Sequence, residues 1–102
     1  MSNNDLFRYQ LMLESAKVEI SNFNDLKRIV NNLKSLIYSL EIRDDDWTKL
    51  IMQQWWILEE YFGVISSESE KSLSEPIIKK LNDVRLILFD LINQKFQESS
   101  IL

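Results

Sequence analysis

The chain has no cysteine and no histidine, and it has only one glycine and one proline among 102 residues. Without cysteine it can form neither a disulfide nor a thiolate metal site. The lack of histidine removes the commonest general base and the commonest metal ligand. Glycine and proline mark the turns of strand-rich folds, so their scarcity favours a few long helices. We therefore expect a helical protein with no metal and no cofactor.

Long hydrophobic runs are also missing. The longest, residues 86–92, is interrupted by Asp90 and is far shorter than the roughly 18 residues that a membrane span requires. The first five residues lack the basic and apolar regions of a secretory signal. We expect a soluble, cytoplasmic protein that has no membrane partner and forms a single domain over residues 1–102.

Four segments carry apolar residues at steps of three and four, which is the spacing of an amphipathic helix. No segment shows the alternation of a strand. The sequence predicts an all-α, single-domain, antiparallel four-helix bundle. The expected helices span residues 5–20, 25–42, 45–62 and 75–97.

The segments between these helices carry the usual end signals. Asn24 and either Asp44 or Asp45 are suitable N-caps for the second and third helices. Gly63 is expected to adopt the left-handed conformation after the third helix. The serine-rich and charged residues 64–73 predict a mobile loop, and residues 99–102 predict a frayed tail.

The first helix has two apolar stripes where one would suffice for packing on one side. Phe7, Leu11 and Val18 form the second stripe, which polar residues separate from the first. Contact with two neighbouring helices explains it. A homodimer or partner contact through Phe7 and Leu11 is the alternative.

Residues 41–62 account for the whole negative charge of the protein, which is −4. This segment carries six acidic and two basic side chains, whereas the two flanking segments are nearly balanced. Such a surface repels nucleic acid and attracts a basic protein. We therefore expect no direct nucleic-acid binding.

The third helix contains all three tryptophans. Steps of about 100° per residue place Trp47 on the core face and Trp55 at its edge, whereas Trp56 points away from it. An outward Trp56 would suit a protein contact, since tryptophan is enriched at binding hot spots. The alternative is that the helix is buried all round and Trp56 is core. The candidate partner-binding residues are Asp44, Asp45, Asp46, Met52, Trp56, Glu59 and Glu60.

No pattern for catalysis is present. Three successive aspartates, Asp44 to Asp46, lack the alternating ligands and central glycine of a calcium loop, so helix capping explains them better. Glu59 and Glu60 are adjacent and project in different directions, so they cannot act as an acid and base pair. With one glycine the chain cannot form a phosphate-binding loop or a nucleophile elbow. We expect no catalytic residues.

In its size, its acidity and residues 44–62, the chain resembles the bacterial immunity proteins that neutralise colicins and contact-dependent inhibition toxins. The resemblance is one of class, and no family motif matches residue by residue. It implies an antitoxin that occludes the active site of a basic toxin, in particular a nuclease. Asp44 to Asp46, Glu59 and Glu60 would then meet toxin lysines and arginines, and Trp56 would anchor the contact.

Two other functions fit the sequence. The first is a structural or adaptor bundle that forms a homodimer through the second stripe of the first helix or through Leu86. The second is a phage-encoded inhibitor of a host protein. Neither would require a cofactor.

Overall fold

Residues 3–101 fold into four helices and the segments that connect them, and this part of the chain contains no strand. The computed structural model describes these residues, and the side chains of residues 3–100. The protein is an all-α four-helix bundle, as the sequence predicts. Its helices are α1 (Asn3–Lys17), α2 (Phe23–Ser39), α3 (Asp45–Ser66) and α4 (Glu75–Ile101).

The helices form a ring in which each packs against the two that are next to it. α1 contacts α2 and α4, and α3 contacts the same two helices. Contacts join opposite ends of successive helices: Phe23 at the start of α2 stacks on Phe62 near the end of α3. Asp44, before α3, binds Lys95 in the last part of α4. This is the pairing expected of an antiparallel bundle.

One apolar core runs the length of the bundle, which measures 47 × 20 × 19 Å. Leu33, Ile51 and Leu88 are fully buried in it, and each such side chain stabilises the fold by about 1.5–3 kcal/mol. The helical spacing in α2 predicts burial of Leu26, Ile29, Val30, Leu33, Leu36, Ile37 and Leu40, and all are buried except Leu36, which is partly buried. In α1 the spacing predicts a core stripe that includes Tyr9 and Ala16 but not Met12, yet Met12 is buried as well. In α3 the spacing predicts Leu50 in the core, but Leu50 is half exposed.

α1 ends at Lys17, three residues earlier than predicted, because side chains of α4 bind the backbone there. The Arg85 guanidinium donates to the carbonyl oxygens of Ala16 at 2.9 Å and Lys17 at 3.4 Å. The side-chain amide of Asn82 donates to the Ile20 carbonyl and accepts from the Ile20 N–H, at 2.9 Å each. Backbone groups that would continue the helix are thus satisfied by a distant element.

α2 spans residues 23–39 instead of the predicted 25–42. It is capped by Asn22, whose side chain accepts from the Asp25 N–H, so the predicted cap Asn24 is wrong. At the other end Leu40 is extended. The amides of Glu41 and Ile42 donate instead to the Asp5 carboxylate of α1, at 2.8 and 2.9 Å.

α3 begins as predicted, with Asp44 as its cap, but it continues past residue 62 to Ser66. Gly63 is helical and has no positive φ, so the predicted left-handed end is wrong. The connection to α4 therefore covers residues 67–74, and its mobility stays a prediction. Ile65 is buried at the end of the bundle, whereas Val64 is exposed.

α4 extends to Ile101, beyond the predicted end at residue 97. Ser99, which the sequence placed in a frayed tail, is helical and buried, and its hydroxyl donates to the Lys95 carbonyl. The last residue of that predicted tail, Leu102, lies outside the described residues.

Candidate functional site

The three tryptophans of α3 lie in two environments. Trp47 and Trp55 are buried, at 8% and 2% exposure, while Trp56 is 55% exposed. The Trp47 indole N–H donates to the Leu91 carbonyl of α4 at 3.0 Å, and the Trp55 indole N–H to the Val30 carbonyl of α2 at 2.9 Å. Both buried indoles are thus satisfied, and Trp56 is a surface side chain, not core.

The Trp56 ring rests against Trp55. Their ring centroids are 5.2 Å apart and their planes meet at 72°, which is an edge-to-face contact. Trp55 in turn is held by its hydrogen bond to Val30 and by the Lys34 ammonium, which lies 5.9 Å from its ring centroid. Because Trp55 is fixed, its contact limits the motion of the Trp56 ring. The Trp56 side chain would therefore lose less conformational entropy on binding a partner.

Two of the other candidate residues lie on the same side of α3 as Trp56. Met52, one turn earlier, is partly buried and packs against the core. Glu59, about one turn later, is also partly buried. Because Trp55 binds α2, this flank of α3 faces α2. Glu60 is exposed and projects about 40° further from α2 than Trp56 does.

The three aspartates do not act as one cluster. Asp44 caps α3 by accepting from the Trp47 N–H at 3.2 Å, and it binds the Lys95 ammonium at 2.7 Å. The hydrogen bond from Lys95, followed by that from the Trp47 amide, lowers the pKa of the Asp44 carboxyl below its usual value. Asp44 is therefore engaged within the fold, and a partner would have to compete with Lys95 for it.

Asp45 and Asp46 are both exposed, but they project to opposite flanks of α3. Asp45 is on the flank of Trp56, about 16 Å away along the helix. Asp46 is on the flank that faces α4. The structure thus brings Met52, Trp56 and Glu59 together on one flank, with Glu60 one turn after Trp56 on its other side, and leaves the three aspartates at a distance from Trp56.

Sequence reasoning missed the basic side chain beside the two tryptophans: Lys34 of α2 lies over Trp55, which contacts Trp56. Elsewhere on the bundle, Arg43 lies 5.8 Å from the ring centroid of Tyr38, which is 53% exposed. The Trp56 surface therefore has mixed charge, not a purely acidic rim. The positions of Lys34 and Tyr38 depend on the register between α2 and α3, which no local pattern specifies.

The second stripe of α1 is only partly explained by its two neighbouring helices. Phe7 and Val18 remain 60% and 49% exposed, while Leu11 is partly covered. Leu11 lines a groove of about 460 Å³ between α1 and α2, beside Arg28 and Asn32. Phe7 thus remains an unpartnered aromatic side chain among the described residues.

Within residues 3–101, no group of three or more acidic side chains is placed to hold a metal ion. In the same range no helix is long and apolar enough to cross a membrane. Nor does the chain match a protein-family model, a curated protein or a solved structure. Its surface chemistry is therefore the basis for a functional proposal.

Proposed function

We propose that the chain is a non-enzymatic protein-binding domain that uses the surface around Trp56. The observation that carries the proposal is the exposure of Trp56, at 55%, on a buried and hydrogen-bonded Trp55. A large aromatic side chain on a rigid base can bury much area at little entropic cost. Met52 widens the apolar centre, and Glu59 and Lys34 supply polar groups at its edge.

More specifically, we propose a cytoplasmic immunity or antitoxin protein that neutralises a basic toxin, in particular a nuclease, by covering its active site. Four exposed or partly exposed carboxylates support a basic partner: those of Asp45, Asp46, Glu59 and Glu60. Complementary charge would accelerate encounter, and burial of Trp56 would supply much of the affinity. Inhibition would be by occlusion and would need neither a cofactor nor a metal. A phage-encoded inhibitor of a host protein would use the same surface.

Affinity capture of the tagged protein from its native cell tests this proposal. The expected result is recovery of a basic protein whose catalytic activity falls when the tagged protein is added to it. Substitution of Trp56→Ala together with Glu59→Lys should abolish both capture and inhibition. Leu86→Ala is the matched control, since Leu86 is 51% exposed on another helix. Capture of the same partner by the double variant would overturn the proposed surface.

The second candidate is a homodimer through α1, which the 60% exposure of Phe7 favours. Phe7→Asp would then convert a dimer to a monomer in sedimentation experiments, while Trp56→Ala would leave the dimer intact. A monomeric wild-type protein would exclude this candidate.

A further inference from the structure

A groove lies on the flank of α3 that faces α4. It has a volume of about 440 Å³ and is lined by Ile57, Glu60, Tyr61, Val64 and Lys80. Val64 is 63% exposed there, while Ile57 and Tyr61 are partly buried and pack against the core. The groove has an apolar floor and charged edges.

The apolar lining continues along both helices beyond this groove. Leu50, Ile57 and Val64 are seven residues apart, so successive members project within about 20° of each other. On α4 the same spacing relates Lys80 to Ile87. Leu50 and Ile87 are 51% and 46% exposed. We call the line formed by these five residues the α3–α4 seam.

The register between α3 and α4 places Leu50 of one helix beside Ile87 of the other. The Trp47 indole donates to the Leu91 carbonyl, and Asp44 binds Lys95. With the helices running in opposite directions, these contacts set Leu50 at about the level of Leu88, one residue from Ile87. The seam therefore spans two seven-residue steps, or about 21 Å.

Carboxylates dominate the edges of the seam. Glu60 lines the groove itself, and Asp46 projects in the same direction as Val64, five turns away. On α4, Asp90 is exposed and lies three residues from Ile87, within about 60° of its direction. Within the described residues none of these three carboxylates forms an ion pair shorter than 4 Å. The cations beside them are Lys80 in the seam and Lys49 next to Leu50.

We propose that the α3–α4 seam is a docking groove for a basic amphipathic helix of a partner protein. Such a helix would lay its apolar stripe between Leu50 and Val64 and place lysines or arginines against the edge carboxylates. A second copy of this chain would bring acidic edges together, and nucleic acid or an anionic membrane would be repelled. The seam shares Asp46 and Glu60 with the carboxylates of the proposed function, but its apolar residues are different and do not include Trp56. The Trp56→Ala variant therefore tests the two proposals separately.

Two synthetic peptides of about 18 residues, long enough to cover the seam, provide the direct test. Both carry the same stripe of leucines at helical spacing. One has lysines at its polar positions and the other has glutamates. Each is labelled at its end and titrated with the full-length protein, and binding is followed by fluorescence anisotropy. The lysine peptide should bind saturably, and its affinity should exceed that of the glutamate peptide by about tenfold or more. Added salt should reduce that difference.

Variants then locate the peptide on the protein. Leu50→Ser with Ile87→Ser should weaken binding of the lysine peptide by about tenfold, as should Glu60→Lys with Asp90→Lys. All four side chains are at least partly exposed, so their replacement should leave the fold intact. Leu86→Ser is the control, because Leu86 is adjacent to Ile87 and equally exposed but projects about 100° away.

Three results would overturn the seam as a docking groove. They are the absence of saturable binding of the lysine peptide up to about 1 mM, equal binding of the two peptides, and a loss with Leu86→Ser as large as that with the seam variants. Weakened binding in Trp56→Ala with unchanged binding in the seam variants would assign the peptide to the Trp56 surface instead. That result would overturn the seam and leave the proposed function in place.

Discussion

Trp55 and Trp56 are neighbours in the sequence and touch edge to face, with ring centroids 5.2 Å apart, yet one is 2% exposed and the other 55%. The two side chains therefore lie in different environments, although they are adjacent and in contact. Trp55 belongs to the core and is tied to α2 through the Val30 carbonyl. Trp56 contacts the Trp55 ring and leaves more than half of its own side chain exposed to solvent.

This difference in burial predicts losses of stability of very different size for two alanine substitutions. Trp55→Ala should lower the free energy of unfolding by about 3–5 kcal/mol, because it leaves a large cavity and removes the hydrogen bond to Val30. Trp56→Ala should cost about 1 kcal/mol or less, since the side chain is mostly exposed. Urea denaturation followed by circular dichroism measures both. Equal losses would mean that Trp56 is a core residue.

The environment of the Asp5 carboxyl predicts that the free energy of unfolding depends on pH. Burial raises the pKa of its carboxyl, but the amides of Glu41 and Ile42 and the Arg8 guanidinium outweigh this effect and hold the pKa below its usual value. A carboxyl whose pKa is lower in the folded state stabilises the protein above its unfolded pKa of about 3.9, and that stability is lost as the pH falls through the folded pKa.

The corresponding variant is Asp5→Asn, which can no longer accept from both amides as a charged group. It should cost about 1–3 kcal/mol near neutral pH. The difference from wild type should shrink as the pH falls below about 4. Asp83→Asn is a suitable control, because the exposed pair of Asp83 with Lys79 contributes little. A difference that does not change with pH would show that the Asp5 charge plays no part.

The hydrogen bonds from Arg85 predict that the last turn of α1 depends on this side chain of α4. Arg85→Met keeps the apolar stem but removes the hydrogen bonds to the carbonyls of Ala16 and Lys17. The expected loss is about 1–3 kcal/mol, with faster amide hydrogen exchange in the last turn of α1. If exchange in that turn is unaffected while the stability falls, Arg85 acts through packing and not through capping.

Gly63 provides a test of the extent of α3. It is helical, and a methyl group added there would meet no atom within 4 Å. Gly63→Ala should therefore raise the stability by about 0.5–1 kcal/mol, because alanine loses less backbone freedom on folding. A loss of stability would indicate the left-handed helix end that the sequence suggests.

Sequence periodicity was sufficient for the number of helices and for most of the core. The stripe of α2 from Leu26 to Leu40 is buried as predicted except for Leu36, which is partly buried, and Asp44 caps α3 as predicted. These features depend on local spacing and on the capping chemistry of single side chains. Leu86, which lies between Lys79 and Asp90 on the helical wheel, is exposed, as that polar surrounding predicts.

The helix ends that the sequence could not predict are those determined by distant residues. α2 stops at Ser39 because the following amides bind Asp5. α1 stops at Lys17 because Arg85 binds its last carbonyls and Asn82 binds the N–H and carbonyl of Ile20. Each partner is more than thirty positions away in the chain. Local patterns contain no information on such contacts.

The candidate site was predicted in part for the same reason. The helical wheel points Trp56 away from the core face but leaves open a helix that is buried all round, and the structure shows Trp56 exposed. The ion pair of Asp44 with Lys95, the approach of Lys34 to Trp55 and the exposure of Leu50 and Ile87 depend on how the helices pair. The binding roles of Asp44, Asp45, Asp46, Met52, Trp56, Glu59 and Glu60 stay a prediction.

The most direct test of the account is the affinity of the Trp56→Ala variant for the partner captured from the native cell. If the surface around Trp56 is the binding site, the dissociation constant should rise by about 30-fold or more, which corresponds to a hot spot of about 2 kcal/mol. Thermal unfolding of the variant should remain close to that of wild type. A dissociation constant equal to that of wild type would contradict the proposed function.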